Sequence, residues 1–204
     1  MLVLASSSPR RRELLALAGF KFSAIPASIP EELRAGESAI AYVTRLAREK
    51  AQAVWAQSSA QDREDDALLV LGADTTVVAA DGQILEKPLD EADAVRMLRL
   101  LSGTTHLVIT GVALVSSSNV EVAAELTYVS MLTVSDDEIA AYVATGESMD
   151  KAGAYGIQGR ASRWVPRIHG CYFNVMGLPL ALVSSMIEGA RSRSEKSLGA
   201  PLQA

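Results

Sequence analysis

The turn "SSSPRR", residues 6–11, gathers hydroxyls and guanidinium forks where an apolar strand passes into a helix. Pro9 suits the first helical position and Ser8 the cap. Arg10 and Arg11 then fall in the first turn, where the helix dipole is already positive and each cation costs about 0.3–1 kcal/mol. An oxyanion bound between them reverses that cost, because helix N-termini and arginine forks both select phosphate. Without an anion the cluster is a solvated basic turn paired to an acid such as Glu13. Ser6, Ser8, Arg10 and Arg11 are therefore candidate phosphate-binding residues.

Lys50, Asp74, Lys87 and Gln158 extend the same chemistry. Lys50 projects into the apolar stripe of a helix, where an ammonium needs a partner or costs several kcal/mol. It either snorkels past the core edge or points into a cleft that holds an anion. Asp74 ends the apolar run "ALLVLGAD", and ligands of open α/β sheets gather beyond the carboxyl ends of strands. Its carboxylate could ligate a divalent metal, activate a water, or simply bond local backbone in a turn. Lys87, in "LEKP", follows the next hairpin and either returns to this cleft or ends a solvated loop. Gln158 lies in "GESMDKAGAYGIQG", where four glycines in fourteen residues signal close backbone approach or unusual dihedrals. Its amide offers a donor and an acceptor, enough to read a pyrimidine imide edge or to satisfy a loop.

The elements that must position these residues alternate strand with helix, the α/β signature. Leu2–Ala5 reads as a buried strand and Pro9–Ala18 as a helix stopped by Gly19. A second helix spans about Ala39 to Ala56 behind Ser38; Ile40, Val43, Leu46, Ala47, Ala51 and Val54 form its apolar stripe, with Arg45, Arg48, Glu49 and Gln52 opposite. Residues 57–66 read as a polar loop, "ALLVLGAD" as a central strand covered on both faces, and "TTVVAADGQILEKP" as a hairpin turning at Asp81-Gly82. Asp90 caps a helix to about Leu101, "HLVITGVALV" returns as a strand, and another strand lies near 122–132. Ser135 and Glu138 form a capping box, which accounts for Glu138 structurally. A last helix follows Pro179, and the polar residues 191–204 read as a disordered tail. No repeat or linker marks a boundary, so residues 1–190 are expected to form one domain.

Composition removes several classes. The 204 residues are 49% hydrophobic, enough to bury a sizeable core. The apolar runs are too short to span a bilayer. Arginines follow the first apolar segment rather than precede it, unlike a signal peptide. A net charge of −5 argues against a nucleic-acid surface, so any anion binding is local. The single cysteine, Cys171, fits a reducing cytosol and reads as a packing residue or, less naturally, a nucleophile.

"LASSSPRRRELL", "RLAREKA", "LGADTTV", "ILEKP", "MLRLLSG", "DKAGAYGIQG" and "NVMGLPL" stand in the order and spacing of the Maf family, which this chain resembles from residue 2 to about 185. The resemblance implies a mixed central sheet flanked by helices, with two lobes around a deep cleft, similar to inosine triphosphate pyrophosphatases. It implies a cytoplasmic nucleoside triphosphate pyrophosphatase that needs a divalent cation, Mg²⁺ or Mn²⁺, and cleaves between the α and β phosphates. In the family the serine-arginine turn binds phosphate, matching Ser6, Ser8, Arg10 and Arg11. Asp74 matches the proton acceptor and metal ligand, and Lys50 and Lys87 match the cleft lysines. Glu31 matches a second acidic ligand, with Glu32 as the neighbour that could replace it. Arg10, Thr75 and Gln158 match residues that set specificity. Glutamine at 158 resembles the branch acting on dTTP and UTP; the branch acting on 7-methyl-GTP typically carries glutamate there. "HGCY" at 169–172 departs from the family's usual acidic-containing loop. A homodimer is implied by the resemblance alone. The rival readings are a nucleotide-binding regulator of cell division with little turnover, and a pyrophosphatase preferring 7-methyl-GTP.

Overall fold

The computed structural model describes residues 1–59 and 68–198, with side chains described to residue 193. Strands β1 (Leu2–Leu4), β2 (Ser23–Ala24), β3 (Leu69–Val78), β5 (Thr105–Val115), β6 (Val120–Ser130) and β7 (Arg167–His169) form a mixed sheet in the order β2-β1-β3-β5-β6-β7. The short strand β4 (Ile84–Leu85) pairs off this path with β3. β1 runs parallel to β2 and β3, and the other pairings are antiparallel. The helices are α1 (Pro9–Leu17), α2 (Ala39–Gln57), α3 (Glu91–Leu101), α4 (Asp136–Val143), α5 (Tyr172–Val175) and α6 (Leu180–Leu198).

The caps expected from sequence form as side-chain bonds. Ser8 accepts from Arg11 N, Ser38 from Ala41 N and Asp90 from Asp93 N, while Ser135 and Glu138 make the reciprocal box. Gly19 adopts φ +79° after α1, and Gly82 adopts +88° in the β3–β4 turn, where glycine carries no Cβ penalty.

Apolar burial falls into two territories that share β3 and β5. At one end, Leu14 and Leu15 of α1 and Val183, Met186 and Ile187 of α6 pack with Leu69, Leu71, Val112 and Leu114. Ala47, Ala51 and Val54 of α2 cover the same strands with Val70 and Ala113. At the other end, Val77 and Val108 join Leu98, Leu101, Ile139, Tyr142 and Trp164 in a second core. Two long strands thus run through both lobes, and the residues between the cores line the cleft.

α2 lies unusually close to the sheet. A Cβ on Gly72 would stand 2.1 Å from Ala47 O, and one on Gly111 would stand 2.4 Å from Val43 O. Only hydrogen at these positions lets the helix settle onto β3 and β5, and that approach brings Lys50 over β3.

Several sequence expectations are corrected here. Asp74 does not end its strand: β3 continues to Val78, and Asp74 pairs with Gly111 of β5. The parallel ladder with β1 stops at the Leu4–Leu71 pair, so Asp74 lies just past the carboxyl end of β1 rather than of its own strand. Arg45 is buried, not on the solvent face, because Glu37 binds its guanidinium at 2.7 Å; Ile40, placed in the stripe, is exposed. α6 continues to Leu198, past the expected end at Arg191, with Arg193 paired to Glu121 at 2.7 Å. A helix already nucleated by packing extends at little cost. Residues 199–204 and most of the expected 57–66 loop lie outside the described residues.

Candidate active site

The cleft between the two cores has a volume of about 500 Å³. It is lined by Ser6, Ser8, Arg10, Arg11, Glu31, Lys50, Asp74, Thr75, Lys87 and Gln158, so of the residues singled out in the sequence only Glu32 and Cys171 lie elsewhere. Glu32 accepts from Arg45 Nη2 through its backbone carbonyl at 2.9 Å.

Asp74 and Lys50 form its floor. Asp74 is 7% exposed, and its Oδ1 accepts from Lys50 Nζ at 2.7 Å. The same ammonium reaches Glu31 Oε1 at 2.8 Å. Neither of the readings offered for Lys50 is complete: it faces the cleft, and its partners are carboxylates of the protein itself. Burial pushes the Asp74 carboxyl above its ordinary range, and the nearby Lys50 and Arg11 charges oppose that push without cancelling it. A carboxylate so placed is a stronger base than a solvated one.

The arginines of the turn behave differently from each other. Arg11 donates from Nε to Gly177 O at 2.9 Å, from Nη1 to Ala73 O at 2.8 Å and from Nη2 to Thr75 Oγ1 at 3.1 Å. It ties α1 to β3 and to the loop before α6. Burial lowers its pKa, with Asp74 and Glu31 opposing. Arg10 reaches across the cleft mouth instead, donating to Asp150 Oδ2 at 2.7 Å and to Asp150 O at 3.0 Å. Lys151 holds the other Asp150 oxygen at 2.7 Å. Burial would raise the Asp150 carboxyl, but the hydrogen bonds from Lys151 and Arg10 outweigh it and hold it below the usual range. Lys87 lines the cleft exposed, with no ion pair among the described residues.

Thr75 belongs to a buried polar chain. Its Oγ1 lies 2.9 Å from Thr110 Oγ1, and Thr110 Oγ1 lies 3.1 Å from Asn174 O. Asn174 Nδ2 donates to Val108 O at 3.1 Å and to Thr127 Oγ1 at 2.9 Å. Gln158 lines the same cleft, exposed, on a loop held by Glu147. Glu147 accepts from Tyr142 at 3.1 Å and from Arg160 N at 3.3 Å. A Cβ on Gly159 would fall 1.8 Å from Glu147 Oε1, so a side chain there would push the Glu147 carboxylate from its place against the loop.

Sequence reasoning missed Tyr42, Glu86, Asp150, Tyr155 and Thr110. The fully buried Tyr42 hydroxyl bonds the Glu86 carboxylate and, at 3.0 Å, Glu31 O. The signal was available: Tyr42, Leu46 and Lys50 form an i, i+4, i+8 row on one face of α2, and Glu86 adjoins Lys87. Asp150 lies in the same glycine-rich stretch, 146–159, as Gln158. Cys171 does not line the cleft; its backbone bonds the Thr127 hydroxyl at 3.0 and 3.1 Å. Among the described residues, no helix is long and apolar enough to cross a membrane.

A family model described as "Maf-like protein" matches residues 1–190. The chain is 54% identical over 189 residues to a Koribacter versatilis protein named dTTP/UTP pyrophosphatase, covering 93% of this chain and 94% of that one. It is 53% identical over 179 residues to a Salmonella typhimurium protein of the same name, covering 88% of this chain and 87% of that one. Among solved structures it aligns with the Staphylococcus aureus Ham1 protein at a TM-score of 0.44 and 11% identity, over 92% of this chain and 98% of that one.

Proposed function

This chain belongs to the Maf-like protein family, and on that premise we propose that it hydrolyses dTTP and UTP to the nucleoside monophosphate and pyrophosphate. The observation that carries the reading is the Asp74–Lys50–Glu31 cluster on the floor of a cleft also lined by Ser6, Ser8, Arg10 and Lys87. A site built only to hold a polyanion has no use for a buried, basic carboxylate beside the phosphate groups.

Asp74 accepts a proton from the water that attacks the α-phosphorus. The bond from that phosphorus to the α–β bridging oxygen breaks, and its electron pair leaves with pyrophosphate. Arg10 and Lys87 stabilise the charge gathering on the leaving group. Lys50 keeps Asp74 oriented and ionised, and Arg11 fixes the strand that presents Asp74 and Thr75. Gln158 faces the base. The physiological setting of such an enzyme is the free nucleotide pool of the cytoplasm.

A divalent cation, Mg²⁺ or Mn²⁺, fits the donor set. Asp74 and Glu31 offer hard carboxylate oxygens, and one oxygen of each makes no bond to Lys50. Among the described residues no three acidic, histidine or cysteine side chains gather into a metal cage. That arrangement suits an ion held by one or two carboxylates and shared with substrate phosphates. When bound, the ion neutralises phosphate charge and polarises the scissile phosphorus.

The test is product analysis by ion exchange after incubation with Mg²⁺ and a panel of dTTP, UTP, CTP, GTP and 7-methyl-GTP. Monophosphate and pyrophosphate formed fastest from dTTP and UTP, and abolished by EDTA, support the proposal. Preference for 7-methyl-GTP overturns the substrate assignment. Binding of every nucleotide without turnover overturns the enzymatic reading in favour of a regulator.

A further inference from the structure

A glutamine amide does not by itself separate uracil from cytosine. Uracil and thymine present a donor at N3 and an acceptor at O4, whereas cytosine presents an acceptor at N3 and a donor at N4. The Gln158 amide makes no hydrogen bond among the described residues, so a half-turn of its terminal torsion suits O4 or N4 alike, and N3 is left for another group to read. Discrimination requires a second group whose polarity is fixed. Thr75 lines the same cleft, and its hydroxyl is not free to choose.

The fixing follows from counting protons. Thr110 Oγ1 lies 3.1 Å from Asn174 O, a carbonyl that can only accept. The single Thr110 proton therefore lies on that contact; turned elsewhere, it would leave two lone pairs facing each other in a fully buried position. The contact between Thr110 and Thr75 at 2.9 Å then takes its proton from Thr75. Arg11 Nη2 donates to Thr75 Oγ1 at 3.1 Å and occupies one lone pair. One direction remains on Thr75, and it carries a lone pair. Thr75 lines the cleft, while the other contacts of its oxygen are to Thr110 and Arg11.

Resting on the assignment of this cleft to pyrimidine triphosphates, we propose that Thr110 is a positioning residue for base selection. It does not line the cleft. By holding Thr75 as an obligate acceptor it favours bases that offer an N–H donor at N3 and disfavours cytosine, whose N3 lone pair meets another lone pair. The Asn174 carbonyl sets the polarity, Thr110 transmits it and Thr75 presents it.

The experiment compares kcat/KM for UTP and CTP in the wild type, Thr110→Val and Thr110→Ser. Valine keeps the shape but removes both the acceptor and the donor at 110, which frees the Thr75 proton to turn into the cleft. The UTP/CTP ratio then falls about five- to tenfold, the scale of one neutral hydrogen bond, and serine restores it. A merely structural role lowers Tm and active fraction but leaves the ratio unchanged, and a folded valine variant with an unchanged ratio overturns the proposal. Wild-type protein with N3-methyluridine triphosphate tests the same point without any substitution. Loss of the UTP advantage is expected, and turnover equal to UTP overturns the proposal. If the wild type hydrolyses no pyrimidine triphosphate at all, it is the assignment of the cleft that fails.

Discussion

Asp74→Asn separates what this side chain does for catalysis from what it does for folding. The substitution keeps shape and an acceptor oxygen toward Lys50 but removes the base. Acid–base catalysis is worth about 10²–10⁴-fold, or roughly 3–5 kcal/mol of barrier at 1.36 kcal/mol per tenfold, so kcat should fall by that factor. Stability should behave otherwise. The Asp74 carboxyl has its folded pKa raised above the ordinary value of 3.8, chiefly by burial, with Lys50 and Arg11 opposing. A group of that kind favours folding fully below its unfolded pKa, and the contribution is lost as pH rises through the folded pKa. At neutral pH the Asp74 charge therefore opposes folding. Asparagine gives up a charge-assisted bond, roughly twice as strong as its neutral replacement, but also the desolvation of a carboxylate. Lys50 is not abandoned, because Glu31 remains at 2.8 Å. The variant should melt within about 1 kcal/mol of the wild type at pH 7, and relatively better there than at pH 4. Thermal denaturation across pH, beside pyrophosphate release from UTP, checks both halves. Turnover within threefold of wild type in a folded variant would refute the assignment of the base. A loss of several kcal/mol at pH 7 would refute the account of the charge.

Other consequences are equally open to measurement. Lys50→Met removes the nearest cation from Asp74, so the acid limb of the kcat/KM profile should move to higher pH; an unmoved limb would mean that another group titrates there. Arg11→Lys replaces a three-pronged tie to Gly177, Ala73 and Thr75 by a single ammonium. Urea denaturation should report a loss of about 1–3 kcal/mol from carbonyls left without their donors. Gly111→Ala would set a Cβ 2.4 Å from Val43 O, and α2 must lift away with Lys50; a loss of about 1–3 kcal/mol or more is expected, together with reduced turnover. Ser135→Ala, far from the cleft, should cost about 1 kcal/mol through its capping box and leave kcat unchanged.

The local elements were legible because their determinants are local. Ser8, Ser38, Asp90 and Ser135 each sit where a cap must, and Asp81-Gly82 turns the hairpin that its φ > 0 position requires. What failed depended on contacts distant in sequence. Arg45 looked solvent-facing by periodicity alone, and nothing in α2 announces that Glu37 would meet it in a buried pair. Asp74 looked terminal because the apolar run ends there. The strand continues because Thr75 and Thr76 pair with Thr110 and Ile109, and threonine hydroxyls can be buried when other side chains or carbonyls receive them.

The same reasoning explains why the site's residue types were visible while their division of labour was not. An arginine in the first turn of a helix reads as an anion binder whichever arginine it is. Arg10 and Arg11 differ by about 100° around the axis of α1, and that rotation sends one across the cleft mouth to Asp150 and the other beneath it to three oxygens of the protein. The inward arginine cannot serve as a freely mobile phosphate clamp while it holds the backbone of Ala73 and Gly177. The outward one is already paired, so under the proposed function an incoming triphosphate would have to compete with Asp150 for its guanidinium. The positive charge of "SSSPRR" is thus divided between building the floor of the cleft and meeting what enters it, a division set by one residue of helical phase.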